Sequence, residues 1–364
     1  MADSHLPTSV EVAVIGAGVW GLTAAWRLAA GGATVALVDD GGEPTAAVAA
    51  GMLCPWSEHE DDGERDFYTA LRHAAAAWPA FAAEVEAAAG LSSGFHRCGS
   101  VYVAARPEHL GAVRRVRDTL ARNGRPEDWQ DADALAAVEP GLGPAVTGGI
   151  ALDDEHQADP AVLVTALRAA CGAVGVVFVA GTAEIAPGGV RVGGATIAAG
   201  VVVNAAGHAA GRLSPRVPVR PVKGQILTLA PRADHPSPLR RMVRTPSCYL
   251  VPRPDGRVVV GATQEERGDR DVTAAGVFDL LEDALRIAPE LAELRLAATL
   301  AGLRPATADL RPAIGADDDG LVWATGGFRH GVLLLPLAGD AIAAAVRGQV
   351  LPELARGFDP RRFA

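Results

Sequence analysis

The sequence predicts a two-domain α/β (α+β) protein, in which a Rossmann-like domain with a parallel sheet is interrupted by an inserted antiparallel-sheet domain. Three observations support this fold class. Residues 12–39 read as strand, glycine turn, helix and strand. From residue 219 the sequence changes to longer β-rich stretches, and an apolar strand and helix pattern returns after residue 320.

The opening pattern carries Gly16, Gly18 and Gly21 in the spacing G-x-G-x-x-G and ends its second strand in Asp39. Gly16 allows a sharp turn, Gly18 lets backbone amides approach a pyrophosphate, and Gly21 lets the helix pack closely on the strand. The helix N-terminus favours phosphate, and Asp39 is placed to bind ribose hydroxyls. The pattern therefore predicts an adenine-dinucleotide site. It leaves open NAD or FAD, and a plain βαβ turn without ligand is the alternative.

The elements that follow are predicted from apolar periodicity, caps and turn residues. Helices are expected over 67–89, with Pro79 as a break, over 107–123, and over 161–173 behind the cap Asp159-Pro160. The strands expected in this half are 98–104, 149–152, 176–179 and 200–203.

The second half begins with strands at 222–229, 248–252 and 257–263, the last two joined by a Pro-Asp-Gly hairpin. The later expected elements are a helix at 274–287, strands at 294–303 and 321–325, and a helix from Gly331 to about 346. We expect residues 1–90, 145–215 and 300–364 to form the dinucleotide-binding domain. Residues 91–144 and 216–299 would form the substrate-binding domain.

Composition narrows the function. The chain has 364 residues, is 49% hydrophobic and carries a net charge of −10, which argues against a nucleic-acid partner. It shows no leader-like start and no apolar run long enough for a membrane. The four cysteines have neither C-x-x-C nor metal-ligand spacing, so we expect free thiols, no metal and a cytoplasmic location. They are Cys54, Cys98, Cys171 and Cys248.

Several further motifs resemble those of the D-amino acid oxidase-like FAD-dependent oxidoreductases, and within them the bacterial glycine oxidases of thiamine biosynthesis. The resemblance covers nearly the whole chain. Besides the glycine turn, it rests on the stretches AAGML (49–53), VKGQ (222–225), YLVPR (249–253), VGAT (260–263), AGLRP (301–305) and GFRHG (327–331).

The resemblance implies FAD as the cofactor, held non-covalently. Its pyrophosphate would lie over Val19 and Trp20, its ribose on Asp39, and its ring against residues 50–52 and the loop 327–333. The cofactor-binding residues implied are Gly16, Gly18, Val19, Trp20, Gly21, Asp39, Asp40, Thr45, Ala46, Ala50, Gly51, Met52, Glu184, Ala206, Gly207, Gly327, Phe328, Arg329, His330, Gly331, Val332 and Leu333.

Three residues carry the substrate and catalytic roles that the resemblance implies: Tyr249, Arg304 and Arg329. Arg304 would hold the carboxylate of an amino acid through two parallel hydrogen bonds, and the Tyr249 phenol would donate to the same group. Arg329 would touch the substrate by side chain or backbone. The alternatives are ordinary surface arginines and a tyrosine that only packs on a strand.

By the same resemblance, glycine would lose a hydride to the flavin, with O2 as the acceptor, giving an imine, then glyoxylate and ammonia, and H2O2. The imine would supply the thiazole of thiamine. The alternative enzyme is an oxidase of sarcosine, another N-alkyl amino acid or a small D-amino acid, or a dehydrogenase that passes their electrons to an acceptor other than oxygen. A binding protein without turnover is an alternative class. A homotetramer is expected only by family analogy.

Four positions depart from the family pattern. Gly302 stands where sarcosine-oxidase relatives carry a cysteine for covalent flavin attachment, and Gln264 where they carry a lysine. Non-covalent FAD and slower or differently assisted oxygen activation are therefore expected. Asp39 replaces a glutamate, which could loosen the ribose contact. His330 replaces an asparagine, and a hydrogen bond in the flavin loop is favoured over a role as catalytic base.

Overall fold

The fold is taken from a computed structural model that describes residues 6–42, 45–58 and 65–364. In chain order the strands are β1 Ser9–Ile15, β2 Val35–Asp39, β3 Met52–Leu53, β4 Phe95–His96, β5 Ser100–Ala104, β6 Gln130–Asp131, β7 Gly148–Leu152, β8 His156–Ala158, β9 Val177–Ala180, β10 Ala183–Ala186, β11 Gly189–Val192, β12 Ala195–Asn204, β13 Arg220–Ala230, β14 Met242–Arg244, β15 Tyr249–Pro252, β16 Val258–Gly261, β17 Arg295–Ala306, β18 Ala313–Ala316 and β19 Val322–Thr325. The α-helices are α1 Val19–Ala30, α2 Arg65–Ala89, α3 His109–Arg122, α4 Ala132–Val138, α5 Pro160–Ala173, α6 Ala210–Leu213, α7 Ala274–Ile287 and α8 Leu335–Val346.

The first sheet has eight strands, with the order β10-β11-β12-β1-β2-β9 and with β19 and β18 attached beside β12. The pairs β1–β2, β1–β12, β2–β9 and β12–β19 are parallel, as a dinucleotide-binding sheet requires. The buried residues of α1, α2, α5 and α8 share one apolar core with this sheet. This arrangement confirms the predicted parallel domain.

The second sheet also has eight strands, in the order β17-β13-β16-β15-β14-β5-β7-β6. Its pairs are antiparallel except for β14–β5, and α7 packs against it in a separate apolar core. A third, three-stranded sheet joins β3, β8 and β4. The predicted mixed α/β fold with an antiparallel block is therefore confirmed.

Two strands of the antiparallel sheet reach across the expected domain boundaries. β7 pairs with β5, and β17 pairs with β13. β7 and the end of β17 lie in the ranges 145–215 and 300–364, which we expect in the dinucleotide-binding domain. The division into two domains with these boundaries remains a prediction.

Helix α2 corrects one sequence expectation, since it runs through Pro79 without a break. Trp78, Phe81 and Val85 are buried in the first core, whereas Pro79 is only partly buried. Packing of the apolar face holds the helix together, although the proline cannot donate a backbone hydrogen bond. In contrast, the predicted cap of α5 is confirmed, because the Asp159 side chain accepts from the amide of Ala161.

All four cysteines are free thiols. Among the residues that the structure describes, no helix combines the length and apolar character needed to cross a membrane.

Candidate active site

A large cavity of about 650 Å³ lies at the carboxyl ends of β1 and β2, where a parallel sheet of this type binds its ligand. Its wall includes the glycine turn, the end of β2 and the loop after β19. The sequence-predicted residues that line it are Gly16, Gly18, Val19, Trp20, Asp39, Asp40, Thr45, Ala46, Ala206, Gly207, Gly327, Phe328, Arg329, Gly331 and Val332.

The three glycines of the turn have three different geometries. Gly16 has φ +103°, which favours glycine, and a Cβ on Gly21 would lie 1.8 Å from the Gly16 carbonyl oxygen. A Cβ on Gly18 would meet no protein atom within 4 Å, although Gly18 lines the large cavity and precedes α1. The predicted turn and close packing are confirmed, and Gly18 leaves its space free at a helix N-terminus, as a pyrophosphate would need.

The three acidic residues predicted to bind the cofactor already have partners within the protein. Asp39 lines the cavity, but its Oδ2 also pairs with the Arg168 guanidinium at 3.1 Å. Asp40 caps the amide of Gly42. Glu184 lines neither this cavity nor the smaller one described below, because its exposed side chain pairs with Arg191 on the neighbouring strand. Gly21 likewise lines neither cavity and acts through packing.

The loop after β19 is fixed by two indole groups. Trp20 Nε1 donates to the Gly331 carbonyl at 2.6 Å, and Trp78 Nε1 donates to the Leu333 carbonyl at 2.9 Å. Phe328 has φ +40°, and its amide donates to the Pro305 carbonyl at 3.1 Å. A non-glycine residue with positive φ that is held by its surroundings is typical of a functional loop.

A second cavity of about 100 Å³ adjoins the first and shares Thr45, Ala49, Phe328, Arg329 and Val332 with it. It lies between one face of the antiparallel sheet and the loops of the parallel sheet. Its remaining lining residues are Val48, Ala50, Gly51, Met52, Cys54, Glu58, Gly224, Ile226, Tyr249, Gly302, Arg304, His330 and Leu333. The structure thus brings together all three predicted catalytic residues, and it leaves the exposed Gln264 outside.

Arg304 lies two residues before the end of β17, on the face of the sheet that borders the small cavity. Its Nη1 donates to the carbonyls of Lys223 and Thr263 at 3.3 and 3.2 Å. A Cβ on Gly224 would lie 2.4 Å from the guanidinium, so this glycine makes room for it. Burial lowers the pKa of Arg304, while the nearby Tyr249 phenol opposes that shift.

Tyr249 begins β15 opposite Gly261 of β16. A Cβ on Gly261 would meet the Tyr249 ring at 2.5 Å, so the ring occupies the space above that glycine. Burial raises the pKa of Tyr249, with Arg304 opposing, so the phenol keeps its proton and stays a donor at neutral pH. Tyr249 and Arg304 therefore offer donors to one small anion.

Glu58 is the charged residue of the small cavity that sequence reasoning missed. Its Oε1 lies 3.5 Å from Arg329 Nη2 and 3.6 Å from Arg244 Nη2. Burial by itself would raise the pKa of Glu58, but Arg329 and Arg244 outweigh it and lower the pKa to about 2. Glu58 is therefore an ionised carboxylate inside the cavity.

His330 contacts the same carboxylate, with Nδ1 3.1 Å from Glu58 Oε2, and its ring packs edge-on against Phe67. Burial lowers the pKa of His330 to about 4, although Glu58 opposes the shift. The imidazole is therefore neutral at neutral pH. The hydrogen bond in the flavin loop that the sequence favoured for His330 remains a prediction.

Arg253 is a second contribution that the sequence did not assign. Its Nη1 donates to Gln157 Oε1 at 2.6 Å, and its Nη2 donates to the Ala50 carbonyl at 2.8 Å. It thereby holds the segment Ala50 to Met52 beside the small cavity. Only its place in the YLVPR motif could have drawn attention to it.

The residues present fit FAD. The large cavity offers an unobstructed glycine at a helix N-terminus for phosphate and a carboxylate at the end of β2 for ribose. It continues into the small cavity at the residues that both share, where a flavin ring would face a substrate. Gly302 carries no thiol for a covalent bond, and a Cβ there would lie 2.0 Å from Val48 Cγ2.

Comparison with known proteins agrees with this geometry. Residues 11–345 match the DAO family, described as FAD dependent oxidoreductase. The chain is 32% identical to the bifunctional protein ThiO/ThiG of Synechocystis over 98% of its own length and 55% of that protein. It thus spans about half the length of the ThiO/ThiG proteins that it matches.

Glycine oxidase from Geobacillus kaustophilus is 30% identical over 92% of both chains. A crystal structure of glycine oxidase from that organism superposes with a TM-score of 0.89 over 98% of this chain and 99% of that chain, at 28% identity. The crystal structure of iminodiacetate oxidase from Chelativorans gives a TM-score of 0.84 at 26% identity, covering 96% and 98% of the two chains.

Proposed function

This chain belongs to the FAD-dependent oxidoreductase family, and from that premise we propose that it is an amino acid oxidase whose substrate is glycine. The proposed reaction is the oxidative deamination of glycine with O2 as the electron acceptor. Its products are an imine, which water hydrolyses to glyoxylate and ammonia, and H2O2. The observation that carries the proposal is the small cavity shared by Tyr249, Arg304 and Arg329 beside the dinucleotide cavity.

The size and charge of this cavity favour a small amino acid. Its volume of about 100 Å³ suits a small ligand. Arg304 offers a guanidinium to a carboxylate, and Tyr249 adds a neutral donor. Glycine presents a carboxylate to these donors and is the smallest amino acid.

Bound FAD supplies the two-electron oxidation as the hydride acceptor. The residues of the chain orient the substrate and exclude water. Arg304 and Tyr249 hold the carboxylate, while the loop at Arg329 borders both cavities. Burial lowers the pKa of His330 to about 4, which makes the imidazole a weak base, and its Nδ1 lies against Glu58, so we assign it no proton transfer.

The alternative substrates are sarcosine, another N-alkyl amino acid or a small D-amino acid. Similarity to the iminodiacetate oxidase structure favours an N-substituted glycine among them. We also propose that the imine supplies the thiazole of thiamine in the cytoplasm. Similarity to a relative described as a putative thiamine biosynthesis oxidoreductase supports this role. A homotetramer is proposed by family analogy.

The test is anaerobic addition of glycine, sarcosine and D-alanine to the purified yellow protein, followed by visible absorption. Glycine should bleach the flavin band at the lowest concentration of the three.

Arg304→Ala should lower kcat/KM for glycine by an amount that corresponds to about 2–4 kcal/mol of lost transition-state stabilisation, because a charged hydrogen-bonded pair is lost. Arg295→Ala, at the exposed start of β17, is the matched control and should leave kcat/KM unchanged. A yellow protein that no amine reduces would exclude oxidase activity.

A further inference from the structure

Glu58 has an unusual environment for a buried carboxylate. Its side chain is 9% exposed and lines the small cavity between Arg329 and His330. Oε1 faces two guanidinium groups, but within residues 6–42, 45–58 and 65–364 Oε2 has no hydrogen-bond partner. The 3.1 Å approach of His330 Nδ1 to Oε2 lacks the alignment of a hydrogen bond.

A buried carboxylate oxygen without a donor is costly, and buried polar groups are nearly always satisfied. Because Oε2 belongs to the cavity wall, a bound molecule with an N–H group can satisfy it. The donors of Arg304 and Tyr249 lie in the wall of the same cavity.

We propose that Glu58 accepts a hydrogen bond from the amino group of the substrate while Arg304 holds its carboxylate. The proposal rests on the function proposed above and adds a residue that binds the amino group of the substrate. It defines the substrate class as small α-amino acids whose nitrogen carries a free N–H. A carboxylic acid without an amine would leave Oε2 unsatisfied.

A purely structural role for Glu58 is the competing explanation. Glu58 also balances the charge of Arg244, which is buried and donates to Ser57 Oγ at 2.7 Å. Loss of the carboxylate would then loosen Arg244 and Arg329 and weaken every ligand alike. The two roles differ for acetate, which has the carboxylate of glycine but no amine. Under our proposal, removal of a negative charge near the cavity leaves acetate binding unchanged or strengthens it.

The experiment measures glycine and acetate binding by anaerobic calorimetry to dithionite-reduced holoenzyme, which cannot turn glycine over. Glu58→Gln should weaken glycine binding by about tenfold or more and should not weaken acetate binding. Glu58→Asp keeps the negative charge on a shorter side chain, which places the carboxylate farther from the ligand. It should weaken glycine binding by several-fold and leave acetate binding unchanged. Glu282→Gln, on the exposed side of α7, should change neither.

Equal weakening of both ligands, or glycine binding that does not change, would overturn the assignment. If Glu58→Gln does not retain FAD, Glu58→Asp gives the same contrast between the two ligands. The two proposals fail separately. A wild-type protein that binds glycine better than acetate but is not bleached by it loses the proposed function and keeps the role of Glu58.

Discussion

At the scale of single residues, the small cavity is defined by charges whose partners come from distant parts of the chain. Arg304 has its carbonyl partners on β13 and beyond β16, and Glu58 faces Arg244 and Arg329. His330 is kept neutral by burial. These environments give each group a fixed protonation state near neutral pH. One single-residue change tests the protonation of His330, and a second tests the position of Arg304.

The first concerns His330, whose folded pKa of about 4 lies below its ordinary 6.5. Between these pH values the unfolded chain binds a proton at His330 that the folded chain does not. The contribution of neutral His330 to the free energy of unfolding is therefore fully present above pH 6.5 and is lost as the pH falls toward 4. Wild type should lose about 2 kcal/mol more than His330→Asn between pH 7 and pH 5. Urea unfolding of both proteins with saturating FAD measures this, and equal losses would contradict it.

The second change is Gly224→Ala. The new Cβ would lie 2.4 Å from the Arg304 guanidinium, and the flexible side chain will move before the backbone does. We expect KM for glycine to rise by about tenfold or more, with a stability change under about 1 kcal/mol. Steady-state kinetics and urea unfolding separate the two effects. Gly172→Ala is the control, because a Cβ at Gly172 would meet nothing within 4 Å. An unchanged KM in Gly224→Ala would show that Gly224 is not needed to position Arg304.

At the scale of elements, the turn between β1 and α1 assigns separate tasks to neighbouring glycines. Gly21 packs α1 against the turn, whereas Gly18 borders the large cavity and touches nothing at its Cβ position. A substitution at Gly21 should therefore disturb packing, whereas a substitution at Gly18 should disturb ligand binding.

Substitution of each glycine by alanine tests that separation. Gly21→Ala places a Cβ 1.8 Å from the Gly16 carbonyl, so it should lower the unfolding free energy of the apoprotein by about 1–3 kcal/mol or more. Gly18→Ala should leave apoprotein stability nearly unchanged and weaken FAD binding. Flavin fluorescence titration and thermal unfolding of the apoproteins report the two effects. Equal FAD affinity in wild type and Gly18→Ala would show that the pyrophosphate lies elsewhere.

At the scale of the whole molecule, the small cavity depends on contacts of the antiparallel sheet with the three-stranded sheet and with the segment before β3. Arg253, just after β15, joins the antiparallel sheet to Ala50 and to Gln157 of β8. Its Nε lies 3.6 Å from Asp159, the cap of α5. The small cavity lies at this junction, so its shape follows from how the sheets meet.

The pair Arg253 and Arg257 tests this contact with a built-in control, because both arginines face Asp159. Arg253 is buried, and Arg253→Ala should lower the unfolding free energy by roughly 3–5 kcal/mol, since buried polar partners lose their donor. The Arg257 side chain is 41% exposed, so Arg257→Ala should cost under about 1 kcal/mol. Guanidinium unfolding compares them. Similar costs would mean that Arg253 adds nothing through burial.

The sequence by itself determined the parts that depend on local order. The turn at Gly16, the helix cap at Asp159 and most strand positions follow from short spacings, because backbone geometry and apolar periodicity act within a few residues. Family motifs added FAD and the set Tyr249, Arg304 and Arg329, which the structure places around one cavity.

Only the tertiary structure decided the continuity of α2 through Pro79, the pairing of Arg168 with Asp39 and the environment of Glu58. Each depends on contacts between residues far apart in the chain, and single-sequence patterns do not encode such distances. Helix propensity at Pro79 was overridden by packing of the apolar face. Glu58 stands in a run of acidic residues, and its burial beside two arginines follows only from how the sheets meet.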